Sequence, residues 1–193
     1  MGNYIFEREI LEESLIEDAA LPTSHDFGRD IIPKLVLSSR VFAYDFSTNK
    51  LPGKGSSYWR EDRPYWRDVG TIGAYWNAHM DLLKHDSEMT FFNPKWPIRT
   101  VSFADPPSYV CPVEGRSCTV ESTLAAEGSR VLGSSVESSV LSRNCVILPG
   151  SVVEESIIGE GVVVGENCRL KRVIIDSHNV IPPNTVLGYD GEH

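Results

Sequence analysis

The stretch that decides the fold is residues 140–188, VLSRNCVILPGSVVEESIIGEGVVVGENCRLKRVIIDSHNVIPPNTVLG. Aliphatic residues recur in it every six positions up to Leu170, and after one step of four residues the six-residue spacing resumes. The members of this series are Val140, Val146, Val152, Ile158, Val164, Leu170, Ile174, Val180 and Val186. A period of six fits neither an α-helix nor a simple β-meander, and it is typical of a parallel β-helix, in which each hexad forms one flat face of a triangular coil. The pattern therefore predicts a left-handed parallel β-helix of hexapeptide repeats.

Glycine and asparagine residues lie between these aliphatics, where a triangular coil needs corners with unusual backbone angles. They are Gly133, Asn144, Gly150, Gly159, Gly165 and Asn167. The alternative is an antiparallel sandwich of short strands, which would alternate apolar and polar residues every two positions instead of pairing aliphatics every six. The observed spacing favours the β-helix.

Composition changes near residue 110, because all four tryptophans lie before it and the short aliphatic pairs lie after it. We therefore predict an α/β region at residues 1–88, a linker at residues 89–110 and the β-helix at residues 111–193. In the α/β region, residues 2–6 and 41–46 have the pattern of strands. Residues 10–19 have an apolar helical face, and residues 23–26 are capping residues before a second helix that has Pro33 in its first turn. The two prolines of residues 91–100 predict an irregular connector.

An acidic residue in the stretch PYWRDVGTIGAYW, residues 64–76, is a candidate ligand-binding residue. An extended segment here would place Trp66 and Asp68 on one face. The following Gly70-Thr71 pair has the pattern of a turn and a helix N-cap, and apolar residues then recur at helical spacing. We therefore expect Asp68 where a strand ends before a helix, which is where ligands gather in open α/β sheets.

Several classes of function are disfavoured by the whole sequence. The net charge of −9 disfavours nucleic acid as a partner, since binding phosphate backbones needs a cationic surface. No apolar run approaches a membrane span and the first residues lack the layout of a signal peptide, so we predict a cytoplasmic protein without a membrane partner. The four cysteines lack metal-site or redox spacing and are expected to be reduced, some of them buried.

The motifs MGNYIF, SHDFGRDIIPKL, PYWRDVGTI, WPIRT and CRLKRVIIDSHNVIPPNTVLG together resemble the latter half of bacterial glucose-1-phosphate adenylyltransferase, also called ADP-glucose pyrophosphorylase. The resemblance extends from residue 1 to about residue 188. It implies that residues 1–88 are the C-terminal, sugar-phosphate side of a Rossmann-like nucleotidyltransferase domain. It also implies a reaction, in which ATP and glucose 1-phosphate give ADP-glucose and pyrophosphate for glycogen biosynthesis, with Mg²⁺ as cofactor.

The resemblance assigns roles to five residues. Asp68 matches a catalytic aspartate that serves the metal and the sugar phosphate, and an acid at a strand end is the hard oxygen ligand that Mg²⁺ prefers. Four others match positions that line the glucose 1-phosphate pocket: Tyr4, Asp26, Phe27 and Trp66. Structural alternatives stay open, because Asp26 also fits a helix cap and the three aromatic residues also fit a core.

The nucleotide-binding half of the family has no counterpart in this sequence. The nearest candidate for a phosphate loop, residues 51–57, lacks the strand and helix context that such a loop needs. We therefore expect a C-terminal fragment that is inactive by itself.

In the family, the β-helix helps to build a homotetramer and contributes basic residues to a site for anionic effectors. Arg169, Lys171 and Arg172 are candidates for that site, although cations at a β-helix corner are also typical of plain solvated surface. Ser177 stands where the family has a basic residue, which leaves the effector open.

Two other functions remain as alternatives. One is a non-catalytic regulatory or assembly subunit related to the enzyme. The other is a hexapeptide acyltransferase, which commonly uses a histidine between coils. Only His178 lies inside the hexads, and no long loop interrupts them, so the acyltransferase is disfavoured.

Overall fold

A computed structural model describes residues 2–49, 52, 64–85, 87, 89, 91–113 and 115–189. The chain divides into two compact units, Met1–Phe46 and Ser47–His193. The rejected phosphate-loop candidate, residues 51–57, lies almost wholly outside the described residues. No helix in the described ranges is long and apolar enough to cross a membrane.

The first unit is built from short helical elements. Helix α1 spans Arg8–Ala19, a π-helical turn spans Phe27–Ile31, and α2 follows directly at Ile32–Ser38 with Pro33 in its first turn. The Asp26 carboxylate accepts a hydrogen bond of 2.7 Å from the Arg29 N–H and caps the π-helical turn. Both helices agree with the sequence pattern.

Two strands expected in the first unit are not formed. Residues 2–6 and 41–45 belong to no β-ladder, and a 3₁₀ turn begins at Phe46. Their alternating sequence pattern is present, but a strand also needs a neighbouring strand to accept its hydrogen bonds, and none of the described residues supplies one.

The second unit begins with an extended loop and a helix. Residues 64–70, which we name the Asp68 loop, belong to no β-ladder, so the strand expected there is also absent. Thr71 caps helix α3, Ile72–Leu82, by accepting a hydrogen bond of 3.1 Å from the Ala74 N–H. Residues 91–100 form turns and irregular backbone, as the two prolines predicted.

Fourteen short parallel strands in the described residues form the β-helix. They are β1 (Tyr109–Cys111), β2 (Thr119–Glu121), β3 (Leu124–Ala125), β4 (Arg130–Leu132), β5 (Ser135–Glu137), β6 (Val140–Leu141), β7 (Val146–Ile147), β8 (Val152–Glu154), β9 (Ile157–Ile158), β10 (Val163–Val164), β11 (Arg169–Lys171), β12 (Ile174–Ile175), β13 (Val180–Ile181) and β14 (Val186–Leu187). They stack as three sheets, in the orders β1-β4-β7-β10-β13, β14-β11-β8-β5-β2 and β12-β9-β6-β3. The predicted parallel β-helix is confirmed.

The phase of the repeat differs from the simple six-residue series. Val146 pairs with Val163, and Val163 pairs with Val180, so one coil takes 17 residues. The side chains that fill the core are spaced by five, six and six residues in each coil. From Val136 onward they are Val136, Leu141, Ile147, Val153, Ile158, Val164 and Leu170, all at most 1% exposed. Of the nine residues in the predicted series, Ile158, Val164 and Leu170 belong to this core. The other six lie outside it, and Val180 is 71% exposed.

The five-residue spacing between core side chains arises because the three corners of a coil differ in length. Two residues separate β5 from β6, whereas four separate β6 from β7 and β7 from β8. Each corner has one residue with positive φ, and these residues stack in columns. The columns are Ser122, Ser138, Glu155 and Arg172; Gly128, Asn144, Gly161 and His178; and Gly133, Gly150, Asn167 and Asn184. Gly159 has a different role, since a Cβ there would lie 2.6 Å from the Ser177 backbone nitrogen of the next coil.

All four cysteines are free, and Cys145 and Cys168 are buried, as expected for some of them. Burial raises the pKa of the Cys145 thiol to about 11, which keeps it protonated and unreactive at neutral pH.

Candidate functional site

The Asp68 side chain lies on an exposed loop directly before α3. One of its oxygens, Oδ1, accepts a hydrogen bond of 2.9 Å from the Gly70 N–H, and this contact fixes the carboxylate against the turn. Within the described part of the chain, Asp68 makes no ion pair and its Oδ2 accepts no hydrogen bond. The loop therefore presents one oriented, exposed carboxylate oxygen.

A cleft of about 820 Å³ lies beside this loop. One wall consists of residues between Val69 and Asn77, which include the end of the Asp68 loop and the first turns of α3. The other wall consists of Arg172 and Ile174 of the β-helix. The cleft thus opens between a helix N-terminus and a cationic corner, and both features favour an anion.

Trp76 of α3 holds that wall in place. Its indole N–H donates a hydrogen bond of 2.8 Å to the Glu155 carbonyl oxygen, on the corner next to Arg172. The Arg172 guanidinium lies 5.3 Å from the Trp76 ring centre, a cation–π distance, and 3.6 Å from the Glu155 carboxylate. Helix α3 is thereby anchored to the β-helix.

The first unit contains the other predicted sugar-site residues. The Tyr4 and Phe27 ring centres are 5.9 Å apart, and Phe6 lies within 5.6 Å of Phe27, so three aromatic rings form one cluster. Tyr4 remains 42% exposed. Asp26 uses Oδ1 for the helix cap, which bears out the structural alternative, while its Oδ2 accepts no hydrogen bond from a described residue.

The structure therefore brings Tyr4, Asp26 and Phe27 into the first unit and leaves Trp66 and Asp68 in the second. Trp66 is 46% exposed, and so is not part of a core. Tyr4 and Trp66 are exposed, so they are not core residues, and Asp68 is exposed and forms no ion pair with a described residue.

A cluster around Asp18 was missed by the sequence analysis. Asp18 is buried, and its carboxylate accepts hydrogen bonds from Thr23 Oγ1 at 2.9 Å and contacts His25 Nδ1 at 2.8 Å. Lys34 Nζ lies 3.4 Å away. His25 has a φ of 55° and immediately precedes Asp26. The His25 and Thr23 contacts fix the backbone that leads into the aromatic cluster.

Comparison with known proteins matches both parts of the chain. A nucleotidyl transferase family model matches residues 1–85, and a GlmU-like C-terminal hexapeptide model matches residues 105–193. A glucose-1-phosphate adenylyltransferase of Vibrio vulnificus (strain YJ016) is 45% identical over 189 residues, which are 97% of this chain and 45% of the relative. Along nearly its whole length, the chain is similar to part of a glucose-1-phosphate adenylyltransferase.

Other relatives give the same result. The glucose-1-phosphate adenylyltransferase of Photobacterium profundum is 39% identical and that of Deinococcus radiodurans is 41% identical, both over the whole of this chain. In each case the chain spans about 46% of the relative. The chain thus spans a little under half the length of the adenylyltransferases that it matches.

The three cations that the adenylyltransferase resemblance suggested for an effector site do not form one cluster. The side chains of Arg169 and Lys171 lie 4.9 and 5.7 Å from the Tyr189 ring centre. Arg172 lies on the cleft wall with Trp76 instead. Of the three, Arg172 is the one that faces the cleft beside the Asp68 loop.

Proposed function

We propose that this chain supplies the sugar-phosphate side and the β-helix of a glucose-1-phosphate adenylyltransferase, which forms ADP-glucose and pyrophosphate from ATP and glucose 1-phosphate. The observation that carries the proposal is similarity to these enzymes along 97–100% of the chain. Because the chain spans under half of their length, we expect the 193-residue chain alone to form no ADP-glucose.

The chemistry needs no protein nucleophile. A phosphate oxygen of glucose 1-phosphate forms a bond to the α-phosphorus of ATP, and the bond from that phosphorus to the bridging oxygen breaks, so that pyrophosphate leaves with the electron pair. Catalysis of such a transfer consists mainly of positioning the groups in line and neutralising charge. The protein residues required are therefore oriented carboxylates, cations and surfaces that hold the sugar.

Asp68 fits the role of a magnesium ligand. Its Oδ1 is fixed by the Gly70 N–H, and its exposed Oδ2 is left to coordinate. No group of three or more His, Cys, Asp or Glu residues in the described part of the chain is arranged to hold a metal ion. Mg²⁺, however, is often held by one or two carboxylates together with substrate phosphates. When bound, Mg²⁺ would neutralise phosphate charge in the transfer.

The sugar side is assigned to the aromatic cluster and its neighbours. Tyr4 and Phe27 offer ring faces to a hexose, and Asp26 Oδ2 offers an acceptor to a sugar hydroxyl. Trp66 offers a further exposed ring next to Asp68 in sequence. These four roles belong to the proposal and depend on the match of their motifs to the family.

Regulation and assembly complete the proposal. Arg172 on the cleft wall is the cation best placed to bind an anionic effector, with Arg169 and Lys171 as a separate cationic surface around Tyr189. The three-sheet β-helix would support a homotetramer. The phosphorylated substrates and the glycogen pathway imply the cytoplasm as the compartment of the reaction.

The test uses a fusion of this chain to the unmatched part of the Vibrio vulnificus relative. The fusion should form ADP-glucose in the presence of Mg²⁺, and Asp68→Asn should lower kcat by about 100-fold or more, because the change removes a ligand charge and keeps the shape. Asp176→Asn is the matched control, since this exposed acid caps a β-helix corner through the Ser177 N–H. Turnover and circular dichroism are measured for all three proteins.

Near-normal kcat in the Asp68→Asn fusion would remove Asp68 from the site. An inactive but correctly folded wild-type fusion would favour the related non-catalytic subunit over the enzyme.

A further inference from the structure

Residues 23–26, which we name the connecting segment, join α1 to the π-helical turn and are held on one side by a buried acid. Both carboxylate oxygens of Asp18 lie 2.9 Å from Thr23 Oγ1, and Asp18 Oδ2 lies 2.8 Å from His25 Nδ1. These contacts, the His25 contact most of all, hold the pKa of Asp18 below its usual range. The carboxylate is therefore ionised and only accepts, so His25 Nδ1 carries the proton and donates the hydrogen bond.

A second acid holds the other side of the connecting segment. Asp30 lies in the π-helical turn, and its Oδ2 accepts hydrogen bonds from the Ser24 hydroxyl and, at 3.1 Å, from the Asp26 N–H. Asp26 in turn caps the same turn through the Arg29 N–H. Side chains from the helix before the segment and from the turn after it thus fix its conformation.

His25 has a backbone conformation that needs such support. Its φ is 55°, in the left-handed region that few residues with a side chain adopt. Conformations of this kind persist where the surrounding structure holds them, and they cluster at functional sites. Besides the bond from Nδ1 to Asp18, the His25 N–H donates to Thr23 Oγ1 at 3.3 Å. The dihedral angles of His25 set the direction of the chain at Asp26, so loss of these contacts would turn the Asp26 side chain.

The connecting segment ends at residues that we assign to the sugar. A methyl group placed on Gly28 would lie 3.2 Å from the Tyr4 hydroxyl oxygen and 3.4 Å from Asp26 Oδ1, so these two groups converge over the bare backbone of Gly28. Asp26 Oδ2 accepts no hydrogen bond from a described residue. A hydroxyl and a carboxylate that converge beside an exposed aromatic ring form the kind of site that orients a small ligand.

The burial of Asp18 agrees with a role in fixing this segment. Only 3% of Asp18 is exposed, and burying a charge is costly unless its partners are well placed. Two of those partners, Thr23 and His25, belong to the connecting segment, and Lys34 Nζ lies 3.4 Å away. The buried carboxylate therefore acts on the segment that leads to Asp26, although it does not contact Asp26 itself.

We propose that Asp18 and His25 are positioning residues for hexose binding, whose contact fixes the connecting segment so that the Asp26 carboxylate points at the sugar. The inference rests on the proposed function for the identity of the ligand, glucose 1-phosphate. It adds two residues that act through Asp26 and do not touch the sugar themselves.

The test measures steady-state kinetics of the fusion to the unmatched part of the Vibrio vulnificus relative, together with isothermal titration calorimetry of glucose 1-phosphate. His25→Ala should raise KM for glucose 1-phosphate by about tenfold, while kcat and KM for ATP stay within about twofold, because the change misplaces a sugar-binding group and leaves the transfer step intact. A merely structural role would instead reduce the amount of folded enzyme, which lowers kcat and leaves KM unchanged.

His25→Asn is the rescue variant, since the amide nitrogen of Asn stands where His25 Nδ1 stands and Asn tolerates a positive φ. It should keep KM for glucose 1-phosphate close to the wild-type value. His178→Ala is the matched control, because His178 is exposed and has a φ of 59° but lies on a β-helix corner. Asp18→Asn keeps an acceptor oxygen and should raise KM by a smaller factor. It should raise KM no further when combined with His25→Ala, since both changes act on one contact.

Three results would overturn the inference in an active fusion: an unchanged KM for glucose 1-phosphate in His25→Ala, an equal rise in His178→Ala, or a His25→Asn variant as weak as His25→Ala. The last result would show that the imidazole itself touches the substrate. An inactive fusion that binds glucose 1-phosphate, and binds it about tenfold more weakly with His25→Ala, would count against the proposed function and support the positioning role. A folded fusion that neither binds glucose 1-phosphate nor turns over would contradict both.

Discussion

The Asp18 carboxylate is a charge held inside the first unit by hydrogen bonds. The contacts with His25, Thr23 and Lys34 hold the pKa of Asp18 below its usual range, with the His25 contact as the largest cause and burial opposing it. The ionised form is therefore the one that the fold stabilises. Stability from this group is fully present above the pKa of an unfolded aspartate and is lost as pH falls through the lower, folded pKa.

Asp18→Asn should consequently lower the melting temperature at pH 7. In acid, the difference in melting temperature between the variant and the wild-type chain should become smaller. The variant keeps the shape of the side chain but loses the charge that His25 and Lys34 contact. Thermal unfolding followed by circular dichroism at pH 7 and near pH 3 measures both effects.

Glu13→Gln is the control for this prediction, since Glu13 is an exposed acid on the same helix. It should leave the melting temperature almost unchanged at both pH values. Equal melting temperatures for Asp18→Asn and wild type at pH 7 would show that the cluster contributes nothing to the fold.

Single residues were predictable where the cause is local. Thr71 and Asp26 were both expected as caps, because a capping side chain reaches a backbone N–H only three residues away. Asp18 was not predictable in the same way. Its partners lie five to sixteen residues along the chain, and the pattern of an acid on an acidic helix is that of solvated surface.

At the level of secondary structure, the 17-residue coil places two neighbouring valines of β8 in different environments. Val153 is completely buried in the core, whereas Val152 lies beside it on the outer side of β8. Val152, and not Val153, is a member of the six-residue series found in the sequence. The two positions therefore provide a direct test of the phase of the repeat.

Val153→Ala should lower the free energy of unfolding by about 2 kcal/mol, because it removes buried methyl groups and leaves a cavity. Val152→Ala, with the same change in composition at a partly exposed position, should cost less than half as much. Urea denaturation of both variants measures the difference. A larger loss for Val152→Ala than for Val153→Ala would restore the six-residue phase.

The approximate six-residue spacing could be predicted from the sequence, but the 17-residue length of a coil and the choice between adjacent aliphatics could not. Most faces carry two adjacent aliphatics, such as Val146 and Ile147, so two series fit equally well. The choice depends on corner length, and the two-residue corners contain ordinary residues such as Glu155 and Arg172 in a left-handed conformation. No sequence signal marks those residues as corners. The strands expected at residues 2–6 and 41–46 differ from the structure in another way, since neither segment belongs to a β-ladder among the described residues.

Across the second unit as a whole, side-chain contacts attach α3 and the linker to the β-helix. The Trp76 N–H donates to Glu155, and the Arg143 guanidinium lies 3.3 Å from the Phe103 ring centre. Arg143 also pairs with Asp105 at 3.1 Å and with Glu160 at 2.7 Å. These contacts make the β-helix the support on which the Asp68 loop and its cleft depend.

Trp76→Phe should loosen α3 without unfolding the β-helix. The change removes the donor to the Glu155 carbonyl oxygen and keeps an aromatic ring beside Arg172, so the expected cost is about 1 kcal/mol, as for one hydrogen bond. Faster hydrogen exchange at the amides of α3, with unchanged exchange in β7–β11, is the measurement.

Trp96→Phe serves as the reference, because Trp96 is 52% exposed and lies in the irregular connector. It should leave exchange in α3 unaltered. If Trp76→Phe also leaves α3 unaltered, the indole hydrogen bond does not anchor the helix.

For the whole molecule, the change in composition near residue 110 predicted that a β-helix follows a region of different architecture. For the candidate site, motif matches single out individual residues such as Asp68, and their roles stay predictions. The walls of the cleft were not, since Arg172 is about a hundred residues from Gly70 in the sequence and only the β-helix corner brings it there.

The corner columns also set a rule for how this molecule can change in length. Each coil adds one strand spacing, about 4.8 Å, to all three sheets. An insertion or deletion that is not a whole coil turns every later aliphatic outward, unless the surplus is extruded as a loop at a corner. The β-helix can therefore change in length by whole coils, and the coils that contact α3 then keep their register.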